Sequence, residues 1–267
     1  MKKVDAMDHE AIKNLPVGAA ISWGLVKPSK RGPKREMNIK QIVETAIAIA
    51  DKDGLAAVSM NRVASALGFT AMSLYRYIPS KNDLLLLMQE AAIDFSIPPV
   101  NKNSDWREDM REYVGATIKV FRDHPWYGDI PISSVPITPN NLVFVDWMLR
   151  IMRGFPLSDY EKMSFLLLIS SYARSVGLIQ RDMDRAVQAG SSPEEFSGLN
   201  YTEALKQLVQ PDRFPDLHPV VMSGTYTGEN DIDNLVGDDF DFGLERILDG
   251  IQYYLDSRNK REAEMKK

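Results

Sequence analysis

The side chains best placed to do chemistry in this chain lie within VSMNRVASALGFTAMSLYRYIPSK, residues 58–81. Thr70, Ala71, Met72, Ser73, Arg76 and Tyr77 together offer hydrogen-bond donors, acceptors and methyl groups. Such a mixture can read the edges of nucleic-acid bases. Tyr75, Tyr77 and Lys81 are of the types that hold phosphates, a contact that fixes position without reading sequence. Each has a plainer reading: Tyr75 as a packing residue, Met72 as an exposed apolar residue, Lys81 as a lysine at a helix start.

Those residues need helices to present them. Asn38 caps a helix and Gln41 stands at its third position, in a capping-box arrangement. Ile39, Ile42, Val43, Ala46, Ile47 and Ala50 recur at helical spacing and make one apolar face. Gly54 falls where a left-handed C-terminal cap belongs. Ser59 caps the next helix, whose inward face is Met60, Val63, Ala64 and Leu67. Gly68 makes a turn and Thr70 caps a third helix, with Phe69 and Leu74 spaced as a hydrophobic staple and turned inward. Pro79 ends that helix. Ser80 caps a fourth, with Asp83 three residues on and LLLLM behind it. The pattern predicts a helix-turn-helix, a unit that lays its second helix in a major groove.

Just ahead lies KPSKRGPKREMNIK, residues 27–40. Pro28, Gly32 and Pro33 oppose helix formation there. Lys30, Arg31, Lys34 and Arg35 make a basic arm able to follow phosphates or enter a minor groove; a solvated linker is the alternative. The charge is uneven on a larger scale. Residues 1–83 carry 13 Lys+Arg against 8 Asp+Glu, and the rest carry 19 against 29. A basic head on an acidic body points to a polyanionic partner.

The 267 residues contain no cysteine, which excludes disulfides and thiolate metal sites. No uninterrupted apolar run reaches the roughly 18 residues of a membrane span, and no cleavable leader opens the chain, so a cytoplasmic protein without a membrane partner is expected. Beyond residue 98 the helical reading continues. Trp106 to Phe121 keeps one face over four turns, and residues 125–138 form a proline-bent connector. Pro139 opens a helix toward Gly154, and Ser158 with Glu161 begins a long one toward Gln188. A helix near Tyr201–Gln210 and a last one from Phe240 to about Arg258 complete an all-α chain. Its divisions are a flexible segment with the basic arm at 1–37, a helix-turn-helix domain at 38–97 and a regulatory and dimerisation domain at 98–267.

The segment IKQIVETAIAIADKDGLAAVSMNRVASALGFTAMSLYRYIPSKNDLLLLM resembles the DNA-binding domain of the tetracycline-repressor (TetR) family of bacterial transcription regulators. The likeness extends back through SWGLVKPSKRGPKRE and forward to HPW at 124–126 and FGLERILDG at 242–250. It implies that Thr70, Ala71, Met72, Ser73, Arg76 and Tyr77 face the major groove, and that Tyr75, Tyr77 and Lys81 touch phosphates. Asn61 stands where many members carry an arginine. Asparagine suits adenine better than guanine, so the operator cannot be borrowed from a relative.

The resemblance further implies a homodimeric repressor on a near-palindromic double-stranded DNA operator, released by a small-molecule effector. In that arrangement the long helix after Ser158 and the last helix pair across a two-fold axis. The stripes Phe165, Leu166, Ile169, Tyr172, Ala173, Val176, Gly177 and Phe240, Leu244, Ile247, Leu248, Ile251, Leu255 suit either that pairing or an ordinary core. Tyr113, Trp126, Phe144, Trp147, Met148 and Tyr172 are candidate effector-pocket residues, because aromatics and methionines line apolar pockets.

No cofactor or metal is expected. The tetracycline-binding members of the family use histidines and magnesium, whereas His9, His124 and His218 fall in no matching motif here. The six carboxylates between Glu229 and Asp241 lack the order of a calcium loop. The rival reading is a helical small-molecule-binding protein or an enzyme without sequence-specific DNA binding. Against an enzyme, the chain has no P-loop, dinucleotide fingerprint, HExxH or nucleophile elbow.

Overall fold

The structure is a computed structural model. It describes residues 13–26, 37–93, 97–99, 105–132, 135–192, 195, 198–229 and 239–265. The described residues contain helices and turns and no strand. The chain divides into two compact units, Met1–Gly177 and Leu178–Lys267. The basic-arm residues Lys30, Arg31, Lys34 and Arg35 and most of the acidic run 229–241 lie outside the described residues.

In the first unit, helix α1 spans Val17–Ser22, α2 Ile39–Asp53, α3 Met60–Ala66, α4 Ala71–Tyr75 and α5 Lys81–Ala92. Local side-chain chemistry starts four of them. Asn38 accepts from the Gln41 amide at 2.9 Å and Gln41 accepts from the Asn38 amide at 3.2 Å, a complete capping box. Ser59, Thr70 and Ser80 accept from the amides of Arg62, Ser73 and Asp83. Gly68 turns the chain between α3 and α4 with φ of 79°, where a side chain would be strained. Gly54 also has a positive φ, but its ψ of 165° is extended, so the expected left-handed cap is replaced by a sharper exit into a short 3-10 turn at Leu55–Ala57. Met60, Val63, Ala64 and Leu74 face the core as expected, whereas Phe69 is 37% exposed and is not an inward residue.

The N-terminal segment departs from the expectation of looseness over Val17–Ser22. Helix α1 packs on α5, and the Gly18 amide donates to Asp83 Oδ1 at 2.7 Å. A Cβ at Gly18 would stand 2.6 Å from the Asp83 carbonyl oxygen, so glycine is required by the approach of the two backbones. Asp83 therefore does two jobs. Its other oxygen accepts from the Ser80 hydroxyl at 2.5 Å at the start of α5. Trp23, just after α1, donates its indole N–H to the Ile137 carbonyl at 2.8 Å.

The rest of this unit is built from α6 (Trp106–Asp123), a 3-10 turn at Pro125–Asp129, α7 (Pro139–Ile151) and α8 (Asp159–Gln188), which runs on into the second unit. Glu161 accepts from the Ser158 amide at 2.8 Å and gives α8 its expected start. The start of α7 is held from elsewhere: the Asn140 amide donates to the Glu90 carboxylate at 3.0 Å, and its side-chain amide donates to the Glu90 carbonyl at 2.9 Å. Trp126 and Ile130 belong to the same buried cluster as Ile42, Ala46 and Leu84 of the helix-turn-helix. The 3-10 turn is thus packed into the head.

In the second unit, α9 spans Thr202–Leu208, α10 Leu217–Met222 and α11 Asp239–Met265. The α10 helix was not expected from the sequence. The buried Thr202 hydroxyl donates to the Thr227 hydroxyl at 2.9 Å, and Lys206 pairs with Glu229 at 2.7 Å.

Candidate nucleic-acid interface and ligand cavity

The α3–turn–α4 hairpin exposes one face. Asn61, Thr70, Met72, Tyr75, Arg76 and Lys81 are exposed, and Ala71 and Ser73 are partly so. Met72 is 71% exposed. The hydroxyls of Thr70 and Ser73 lie 3.1 Å apart, which ties each to the other and limits their rotation. Tyr75 is 45% exposed and free to reach outward, while Tyr77 is partly buried against the head core. Arg62 is engaged with Asp53. The described candidates other than Tyr77 therefore present amide, hydroxyl, guanidinium, ammonium and thioether groups to solvent to differing degrees.

A cavity of about 340 Å³ opens in the first unit, within the range of sites that bury a small molecule. Leu86 and Gln89 of α5, Ile93 just after it, Tyr113, Thr117 and Phe121 of α6, Asn141 and Phe144 of α7, and Ser170 and Arg174 of α8 all contribute to its wall. The connector adds Tyr127, Ile130, Ile137 and Thr138. Of the six aromatic and methionine candidates, Tyr113 and Phe144 line it. Trp147 lies behind that wall, its ring 5.3 Å from Tyr113 and 5.5 Å from Phe144. Met148 is fully buried and Tyr172 half-buried, and neither is part of the described wall. Trp126 is fully buried too, and its indole N–H donates to Asp51 Oδ1 of α2 at 2.6 Å, beside His124 at 3.0 Å.

The polar groups on the wall are organised. Tyr113 and Ser170 hydroxyls lie 3.1 Å apart. Tyr127 donates to Asn141 Oδ1 at 3.4 Å, and Asn141 donates to the Thr138 hydroxyl at 2.9 Å. Arg174 donates to the Gly128 carbonyl at 3.0 Å. Helix α8 comes so close to α6 that a Cβ at Gly177 would lie 2.7 Å from the Phe121 ring. Burial pushes the Tyr113 phenol up, against the Ser170 hydrogen bond. Burial pushes the Tyr127 phenol up to about 12, with Glu90 and Tyr113 adding to the shift and Arg174 opposing it. A raised phenol stabilises the fold in its neutral form, a contribution complete below the ordinary value of 10.0 and lost as pH climbs to about 12. Tyr127→Phe is expected to flatten the decline of Tm across that alkaline window, and thermal melts of both proteins over the window check it.

Residues 42–88 match bacterial regulatory proteins of the tetR family, and residues 98–255 match the tetracyclin repressor-like C-terminal domain. The chain belongs to the tetR family. The HTH-type transcriptional repressor DrrR1 of Streptomyces coeruleorubidus is 32% identical over 246 residues, spanning 90% of this chain and 87% of that protein. Among solved structures, apo ActR of Streptomyces coelicolor superposes with a TM-score of 0.63 at 26% identity, over 80% of this chain and 96% of ActR. ActR in complex with actinorhodin gives 0.67 at 26% identity, over 82% and 97%.

As a tetR-family protein the chain is a DNA-binding transcriptional repressor and not an enzyme. Sequence reasoning passed over several polar residues of the tetR-family cavity: Gln89, Thr117, Tyr127, Asn141, Ser170 and Arg174. Ser170 and Arg174 carried a usable signal, since they lie four apart and so share one face of the long helix. The others sit on four different elements, and nothing local marks them as neighbours.

Proposed function

We propose that the chain is a homodimeric repressor whose heads hold a near-palindromic operator and whose cavity takes the effector that releases it. The observation that carries this reading is the double duty of α5. Its N-terminal turn bears the exposed Lys81, and its Leu86 and Gln89, with Ile93 just beyond its end, line the cavity. A molecule that fits only a displaced α5 favours the conformation that does not bind DNA, and its differential affinity sets the limit of the response. The complex of ActR with actinorhodin, a protein of the same fold, supports a small-molecule effector here. Dimerisation is supported by exposed apolar side chains. In α8 these are Met163, Leu167, Leu168, Ile179, Met183 and Val187, and in α11 Phe242, Tyr253 and Tyr254. A second copy would cover them, since monomers rarely leave such patches open. The buried Ile169, Ala173, Val176, Leu248 and Ile251 already pack within one chain. The protein would act in the cytoplasm, beside the chromosome.

In the head, Asn61, Thr70, Ala71, Met72, Ser73 and Arg76 read bases, and Tyr75, Tyr77 and Lys81 hold phosphates together with the arm residues Lys30, Arg31, Lys34 and Arg35. Selection from a randomised DNA library recovers a near-palindrome if the reading is right, and no preferred sequence if it is wrong. On that operator Lys81→Ala weakens binding alike for all sequence variants and lowers the salt slope by about 1 per head. A loss confined to particular bases would remove Lys81 from the phosphate contacts.

A further inference from the structure

We propose that the effector is a flat, apolar acid, ionised at neutral pH, whose anionic group seats on Arg174 while its rings lie among Tyr113, Phe121, Tyr127 and Phe144. The inference rests on the cavity being the effector site and names the chemistry of what fills it. Arg174 is the one charged residue of the described wall, and no carboxylate forms an ion pair with it among the described residues. Its guanidinium has five N–H donors, and the hydrogen bond to Gly128 uses one nitrogen. A half-buried cation among Ile, Leu, Val and Phe side chains is costly until an anion pairs with it.

The neighbours hold that cation in place. Arg174 lies over the Phe121 ring at 5.7 Å. Phe121 is itself fixed by the approach of Gly177 and by edge contact with Tyr127 at 5.6 Å. The remaining polar groups of the wall, among them Gln89, Thr117 and Asn141, are neutral and can serve hydroxyls or carbonyls on the same molecule. The phenols of Tyr113 and Tyr127 stay protonated at neutral pH and do not repel an anion. Four aromatic rings, with Tyr113 and Phe144 at 5.1 Å, provide faces and edges for a fused ring system. A cationic effector would meet Arg174, the one charged residue of the described wall.

Two probes of nearly one shape separate charge from fit: naphthalene-2-carboxylate and naphthalene-2-carboxamide. Titrated into the full-length protein at neutral pH, the carboxylate is expected to bind at least roughly 10-fold tighter, the scale of a charge-assisted hydrogen bond. In Arg174→Gln the advantage falls to within about 2-fold through loss of the carboxylate's affinity, while the amide keeps its own. Arg174→Lys retains part of the gap and guards against misfolding of the first variant. Equal binding of the two probes to the wild type overturns the proposal, as does a gap that survives in Arg174→Gln. Thr117→Phe, which fills the cavity, abolishes binding of both probes. Binding that persists in that variant, or no binding of either probe to the wild type, overturns the cavity reading itself.

Discussion

Met72→Glu abolishes operator binding while leaving the fold intact. The side chain is 71% exposed, so the change costs the fold no more than about 0.5 kcal/mol. On DNA the same position faces a polyanion. A new carboxylate there is desolvated beside phosphates and can accept hydrogen bonds but donate none, a juxtaposition that costs several kcal/mol. Affinity is expected to fall on the order of 100-fold or more. Met72→Gln has nearly the same shape without the charge and loses less than about 10-fold. Fluorescence anisotropy on the selected operator, beside thermal melts of each variant, measures both quantities. A Met72→Glu protein that binds within about 3-fold of wild type would place α4 outside the groove.

Trp126→Ala carries the largest expected effect on stability. The ring is fully buried in the cluster that includes Ile42, Ala46 and Leu84 of the head, and its N–H ends on Asp51. Truncating a buried tryptophan costs about 3–5 kcal/mol, which for a unit of this size lowers Tm by roughly 10 °C. Trp126→Phe keeps most of the packing and loses the hydrogen bond, and falls by about 1–2 kcal/mol. The comparison has a functional side. Tyr127 lines the cavity, and its neighbour Trp126 locks into the head, so a loosened Trp126 weakens the mechanical link between the two. Melts of the three proteins decide the matter; a Trp126→Ala protein as stable as wild type would mean that the turn at Pro125–Asp129 is not part of the head core.

The helix-turn-helix was legible because its rules are short-ranged. Asn38 with Gln41 and the hydroxyls of Ser59, Thr70 and Ser80 each act within one helical turn, and each sits where the spacing places it. Gly68 likewise turns the chain by its own freedom. The same local rules went astray where the next contact was not local. Gly54 has the expected positive φ, but its ψ of 165° is extended and the chain passes straight into a 3-10 turn. Phe69 has staple spacing, yet lies partly in solvent. Helix α1, only six residues without a side-chain cap, has no strength of its own and forms against α5 through Gly18 and Asp83.

The cavity marks the same divide. Tyr113 and Trp126 look alike as buried aromatics in a helical chain, but one lines the cavity and the other plugs the head. Arg174 shares a helix face with Ser170, but nothing in the sequence says what that face meets. Only the convergence of α6, the connector and α8 sets it beside Phe121 and the Gly128 carbonyl. By itself the sequence determined an all-α chain with a DNA-reading head, because caps, turns and apolar periodicity involve residues three or four apart. The tertiary structure alone decided which aromatics surround a cavity and which cation faces it, because those neighbours lie tens of residues apart and meet only when the helices pack.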